Sequence, residues 1–335
     1  MPRGAPSRAR TAARVPRLVA ERYEITGEVA RGGYGTVYEA RDRRRGHLVA
    51  IKILHAGGSD RAAAARFIRE TRVAAAIHHP NVCAVTDSGT LEDGSLFLVM
   101  ERLYGETLRS YVARVGRVDP DEAIELAVQM LSGLEASHAL GIVHRDMKPD
   151  NVFILRPSGS LPLVKLLDFG MCRRQSGESI DERTLTRVGS VVGTPEYMAP
   201  EQASGRRDFD LRIDLYAVGV MLFEMLTGAR AFVGSDARAV LVSVLTRKLP
   251  PLRSLRPDVP AELERIVARA ADRDPRKRYA DAASIQHDLL HARTALRWAR
   301  GSRARPKARA QGAADESLWE MPTVHFSGSA SRRRD

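Results

Sequence analysis

The stretch His144-Arg145-Asp146-Met147-Lys148-Pro149-Asp150-Asn151, with Asp168-Phe169-Gly170 downstream of it, decides the reading of this 335-residue chain. Asp146, Asn151 and Asp168 offer the hard oxygens that hold Mg²⁺ or orient a hydroxyl, and Lys148 offers a cation to a transferring phosphate. Any one of these Asp residues, taken singly, is an ordinary turn or cap residue. All of them in one order and spacing form a set with a chemical purpose.

Upstream, Ala30-Arg31-Gly32-Gly33-Tyr34-Gly35-Thr36-Val37 is a glycine-rich turn between two strand-like runs, Tyr23 to Ala30 and Thr36 to Arg41. Its amides could meet phosphate oxygens, but a bulged hairpin turn recruits the same glycines, so the turn alone decides nothing. Val49-Ala50-Ile51-Lys52 adds to it. Strand alternation sends Val49, Ile51 and Ile53 to one face and Ala50 with Lys52 to the other, where a ligand could lie. A helix opening at Ser59 or Asp60 and running to about Ile77 would place Glu70 on its apolar stripe with Phe67, Ala74 and Ile77. An inward carboxylate needs a cation, and Lys52 is the available one.

Composition narrows the alternatives. With 44% hydrophobic and 28% charged residues the chain is a globular protein, and its longest apolar helical run, Leu215 to Phe223, is too short to span a bilayer. Cys83 and Cys172 lie far apart in no metal-like spacing, so disulfide scaffolds and zinc sites are disfavoured and a reducing cytoplasm is expected. The net charge of +12 is concentrated at the ends, +5 in residues 1–20 and +6 in residues 292–335, leaving +1 for residues 21–291. The two ends read as basic disordered tails that could touch acidic partners, with nucleic-acid binding not expected. Arginine outnumbers lysine 47 to 6, so each lysine is notable.

Strand patterns before Thr107 give way to helical periodicity at Asp121 to Leu140, Asp214 to Thr227, Ala237 to Leu245 and Ala261 to Ala271. The chain is therefore α+β, with a cleft expected between a strand-rich and a helix-rich part.

These motifs together resemble a eukaryotic-type (Hanks-type) serine/threonine protein kinase of the bacterial kind, over about Tyr23 to His291. The resemblance implies a bilobal protein-kinase-like fold with N-lobe 21–101, hinge 101–105 and C-lobe 106–291. It implies that Gly32, Gly33 and Gly35 cover the phosphates of ATP and that Lys52, bound to Glu70, holds the α and β phosphates. Val37 and Ala50 would sandwich the adenine, Met100 would be the gatekeeper, and the backbone of Glu101 and Leu103 the hinge contact. Asp146 would accept the substrate hydroxyl proton, Lys148 would touch the γ-phosphate, and Asn151 with Asp168 would bind Mg²⁺.

Further resemblance lies in Gly193-Thr194-Pro195-Glu196-Tyr197-Met198-Ala199-Pro200-Glu201, with Arg278 placed to pair with Glu201 and Asp214 to brace the catalytic loop. Lys148 and Thr194 resemble the Ser/Thr pattern, so protein Ser/Thr hydroxyls are the expected acceptors. The position of the family's first loop glycine is Ala30 here, which predicts a modest effect on nucleotide affinity. Thr186, then Thr184 and Ser190, are the expected autophosphorylation sites, with Arg145 to clamp the phosphate. A catalytically silent scaffold or a small-molecule phosphotransferase of the same fold are the rival readings. The complete set Lys52, Glu70, Asp146, Asn151 and Asp168 argues against the first, and the segment through Glu201 against the second.

Overall fold

In the computed structural model, the described residues are 17–33, 35–54, 71, 74–156, 161–169, 195–206 and 208–304, with side chains to 297. Contacts group Met1–Arg297 into one compact unit and Trp298–Asp335 into a second.

The first part of the chain builds a six-stranded sheet. Its strands are β1 (Leu18–Val19), β2 (Tyr23–Arg31), β3 (Gly35–Asp42), β4 (Leu48–Leu54), β5 (Val85–Thr90) and β6 (Leu96–Glu101), in the antiparallel order β1-β2-β3-β4-β6-β5. The β4–β6 register sets Ile51 opposite Val99 and Ile53 opposite Phe97. Alternation then places Val49, Ile51, Phe97 and Val99 in a small core with Val19, Tyr23 and Ala40. Ile53 packs against the same cluster, as the alternation predicts.

The rest is mainly helical: α1 (Leu108–Val115), α2 (Pro120–Ala139), α3 (Pro200–Ala203), α4 (Arg212–Thr227), α5 (Ala237–Thr246), α6 (Leu252–Leu255), α7 (Ala261–Ala270) and α8 (Ala282–Ala304). A second sheet, β7 (Glu106–Thr107), β8 (Val152–Leu155) and β9 (Leu163–Leu166), lies against them. Helix α2 starts with the Asp119 side chain accepting from the Asp121 amide, followed by Pro120 at its first position. Every residue of α4 from Ile213 to Thr227 is buried, so this helix is the central post of the larger core. Gly219 lets α7 cross it closely, since a Cβ there would lie 2.9 Å from the Ala270 Cβ.

The buried ion pair expected between Glu201 and Arg278 is present. Arg278 Nη1 and Nη2 donate to Glu201 Oε1 and Oε2 at 2.6 and 2.8 Å, with the guanidinium over the Tyr216 ring. The bidentate geometry satisfies both groups in a place where neither could stand alone.

Packing among the described residues continues outside 21–291 at both ends. Val19 in β1 is fully buried, so residues before 21 join the sheet. The expected end at His291 falls inside α8, because apolar spacing continues beyond it: Ala292 and Leu296 are buried. Arg293 and Arg297 both donate to Asp121, and Arg293 also to Glu125, which docks the helix on α2. Part of the basic charge assigned to a tail is thus structural. The helix expected from Ser59 or Asp60 lies largely outside the described residues, as do the terminal segments 1–16 and 305–335.

A chain cut after His291 should melt about 5 °C or more below the full chain, whereas one cut after Ala304 should melt with it. Equal melting of all three would remove the role given to α8. The Arg297 guanidinium, then that of Arg293, holds the Asp121 carboxyl well below its usual range. A depressed folded-state value means the stabilisation is present above the ordinary Asp range, about pH 4, and fades as pH falls below it. Asp121→Asn should therefore lower Tm at neutral pH and flatten its acid-side decline, read by thermal melts between neutral and acid pH.

Candidate active site

The site is assembled from segments that the two sheets and α4 hold in place. In the β2–β3 turn the Gly32 amide donates to the Gly35 carbonyl at 2.9 Å, closing a tight loop. Gly35 is required by close approach, since a Cβ there would lie 2.5 Å from the Ile53 carbonyl oxygen; around Gly33 the space is open. Across the sheet Val37 pairs with Lys52, and Ala50 with Met100. The glycine turn, Lys52 and the strand leading to the hinge are therefore neighbours on one surface.

Lys52 Nζ donates to Asp168 Oδ2 at 2.6 Å, across 116 residues of sequence, with both side chains mostly buried. The expected partner of Lys52, Glu70, lies outside the described residues.

Residues 144–151 are held from below by Asp214, which is fully buried at the start of α4. Its Oδ2 accepts from the His144 amide at 2.8 Å and meets His138 Nε2 at 2.9 Å, and its Oδ1 accepts from the Arg145 amide at 2.8 Å. This brace is the one the family resemblance implies. His144 Nε2 reaches the Leu167 carbonyl at 2.7 Å, and its ring packs on Phe169. Among the non-glycine residues with positive φ are Arg145 (70°) and Asp168 (60°). A left-handed backbone is costly for such residues, and both lie where bonds to Asp214 and His144 hold the chain in place.

Within the loop, Asp146 Oδ2 accepts from Lys148 Nζ at 2.6 Å and from Asn151 Nδ2 at 3.0 Å. Asn151 Nδ2 also donates to the Asp146 carbonyl at 2.7 Å, and the Leu167 amide donates to the Asn151 carbonyl at 2.9 Å. The loop and the strand leading to Asp168 are thereby stitched together. Asp146, Lys148, Asn151, Asp168 and Lys52 thus belong to one connected network.

At the end of β6 the Glu101 amide donates to the Ala84 carbonyl at 3.0 Å, and Leu103 is buried. Arg102 Nε donates to Glu39 on β3 at 2.9 Å, and its Nη1 donates to the Leu103 carbonyl. Two cationic contacts here escaped the motif reading. Lys165 on β9 bonds Glu101, and Arg109 on α1 bonds Tyr197, Glu224 and Asp150. Tyr197 donates in turn to Glu224, and burial with that carboxylate pushes its phenol pKa up. This cluster ties the segment before Glu201 to the loop that bears Asp146. For Lys165 a signal existed in the scarcity of lysine; Arg109 is one arginine among 47 and gave none.

Cys83 is buried, and burial pushes its thiol pKa up, which makes it an inert filler and not a nucleophile. Gly170, Cys172, Thr184, Thr186, Ser190 and Thr194 lie outside the described residues.

Comparison with known proteins agrees with this geometry. The protein kinase domain profile matches residues 23–290, four-fifths of the chain. The chain belongs to the protein kinase family. The chain is 37% identical over 278 residues to the serine/threonine-protein kinase pkn3 of Myxococcus xanthus, covering 82% of this chain and 50% of that protein. It is 35% identical over 306 residues to PknA of Mycobacterium tuberculosis, covering 90% and 68%. It spans about half the length, or less, of the first curated relatives it matches.

Solved structures agree in fold. The PknI kinase domain of M. tuberculosis superposes with a TM-score of 0.63 at 26% identity, over 81% of this chain and 95% of that one. Rad53 in complex with AMP-PNP gives 0.64 at 26%, over 80% and 65%. The bilobal expectation therefore holds: an antiparallel N-terminal sheet and a helical C-terminal part.

Gly35→Ala should destabilise the kinase by about 1–3 kcal/mol, because backbone must yield, while Gly33→Ala should change stability by less than about 0.5 kcal/mol. Chemical denaturation of the two variants tests the difference; equal effects would contradict the close approach to Ile53.

Proposed function

We propose that this kinase transfers the γ-phosphoryl group of ATP to Ser or Thr hydroxyls of protein substrates. The observation that carries the proposal is the 2.6 Å contact of Lys52 with Asp168, in the same network that orients Asp146, Lys148 and Asn151. Two lysines, each on an Asp carboxylate, together with Asn151 offer the cations and hard oxygens that suit a polyphosphate and its counter-ion.

The base end of the nucleotide is assigned to Val37, Ala50, Met100 and the backbone of Glu101 and Leu103. The Glu101 amide is already donated to Ala84, so its carbonyl is the group offered to the base. Gly32, Gly33 and Gly35 shape the cover over the phosphates, and Lys52 holds the α and β phosphates with Glu70. Rad53, of similar fold, is described in complex with AMP-PNP, which supports adenine-nucleotide binding in this crevice.

The residues present fit Mg²⁺. Asn151 spends its amide nitrogen on Asp146, which leaves its side-chain oxygen, and Asp168 contributes a carboxylate; one or two such oxygens completed by phosphate and water are the usual magnesium set. When bound, Mg²⁺ would neutralise charge on the phosphates.

Phosphoryl transfer asks the protein mainly to position the reactants. Asp146, with Oδ2 held by Lys148 and Asn151, orients the acceptor hydroxyl and takes up its proton. Lys148 lies beside it to meet the γ-phosphate. The substrate class rests on the resemblance in Lys148 and Thr194 and on relatives named as serine/threonine-protein kinases. ATP is supplied in the cytoplasm, and the same reading places the domain there. Autophosphorylation on Thr186, with Thr184 and Ser190 next, belongs to this proposal, and phosphopeptide mapping of active enzyme tests it.

The purified chain should incorporate label from γ-labelled ATP into protein Ser or Thr when magnesium is present. Asp146→Asn should remain folded and lose on the order of 10²- to 10⁴-fold in rate, and Lys52→Met should likewise fold and be nearly inactive. Incorporation at the wild-type rate by either variant would refute the assignment.

A further inference from the structure

We propose that Lys165 is a positioning residue for the nucleotide, locking the hinge residue Glu101 to the strand that leads to Asp168. The inference rests on the reading of the crevice as an ATP site and goes beyond it, since Lys165 belongs to no motif of the sequence.

The geometry is a chain of short contacts. Lys165 Nζ donates to Glu101 Oε1 at 2.7 Å and to the Val82 carbonyl at 3.3 Å. The same Glu101 oxygen accepts from the Ala84 amide at 2.8 Å, and the Glu101 amide returns a bond to the Ala84 carbonyl. Residues 82–84 are themselves fastened to β9: the Cys83 amide donates to the Leu166 carbonyl at 2.9 Å, and Val82 forms a parallel bridge with Leu166. Two residues beyond Leu166 stands Asp168. The hinge and the phosphate end of the crevice are therefore joined by a path only a few residues long.

An accidental surface pair would look different. The Lys165 side chain is only 13% exposed and reaches from one sheet to the last residue of the other. Burying an ammonium is costly, so the cost is met by the two oxygens it contacts. A neutral side chain at 165 would leave Glu101 held by Ala84 alone.

Functional consequence follows from the shape of the ligand. A nucleotide touches the hinge with its base and Lys52 with its phosphates, so its affinity depends on the distance between the two ends being fixed before binding. Loss of the Lys165 contact frees one end relative to the other. The effect should fall on nucleotide affinity and not on fold stability.

The test is a double-mutant cycle on the full chain, with Lys165→Met, Glu101→Gln and the double variant. Binding of Mg-AMP-PNP is measured by calorimetry and Tm by thermal melt. Lys165→Met should weaken binding about fivefold at nearly unchanged Tm, and adding it to Glu101→Gln should weaken binding little further. Wild-type affinity in Lys165→Met, or a full additive loss in the double variant, overturns the proposal. Should Lys165→Met melt early, Lys165→Gln, which keeps a polar donor, carries the same comparison. A wild-type chain that binds no Mg-AMP-PNP would instead sink the ATP-site reading itself, and this proposal with it.

Discussion

One buried carboxylate sets the geometry on which the site depends. Asp214 is wholly enclosed by the core, and a carboxylate in that position is tolerated only when its oxygens are saturated with donors. The donors it finds are the backbone amides of His144 and Arg145 and the ring of His138. Satisfying Asp214 and placing Asp146 are thus the same event. The positive φ of Arg145 is the local cost of that arrangement, and it is offset by the bonds it permits. Helix α4 can supply such an anchor because it is buried on all sides and has nowhere to shift.

From that anchor the other parts follow by short links. His144 passes the constraint to Leu167, Leu167 to Asn151, and Asn151 to Asp146, while the residue after Leu167 is Asp168, which Lys52 meets from the other sheet. The N-terminal sheet has its own small core, separate from the larger helical one. Lys52 on Asp168, Lys165 on Glu101 and Arg102 on Glu39 are polar clasps near that junction, and polar clasps can be opened at less cost than an apolar core.

Much of this was legible in the sequence, for identifiable reasons. Strand alternation in Val49 to Ile53 reported the core face correctly because period-2 burial is a direct consequence of the pleat. The all-apolar run from Leu215 read as a core helix because a helix apolar all round must be buried, while the role of Asp214 at its start as a brace came from the family resemblance. The extent of α8 was not legible: Arg293, Arg297 and their neighbours look like a solvated basic tail by composition. Only the fold brings Asp121 and Glu125 of α2 beneath them, and long-range pairing of this kind leaves no local pattern. Arg109, with partners 41, 88 and 115 residues away, escaped for the same reason.

The use of lysine carries the same logic one step further. In a chain with 47 arginines, lysine stands at only six positions, and three of these, Lys52, Lys148 and Lys165, pair with Asp168, Asp146 and Glu101 of the candidate site. Each makes one short contact to a carboxylate oxygen, at 2.6, 2.6 and 2.7 Å. A guanidinium presents a broad planar fork, suited to two parallel bonds as in Arg278 on Glu201, whereas an ammonium is a compact point charge suited to a single oxygen. Lys248 and Lys277 are exposed, where the choice between the two cations matters little. Half of the lysines, Lys52, Lys148 and Lys165, thus share one mode of use, a mostly buried ammonium on a single carboxylate, which groups Lys165 structurally with the two motif lysines.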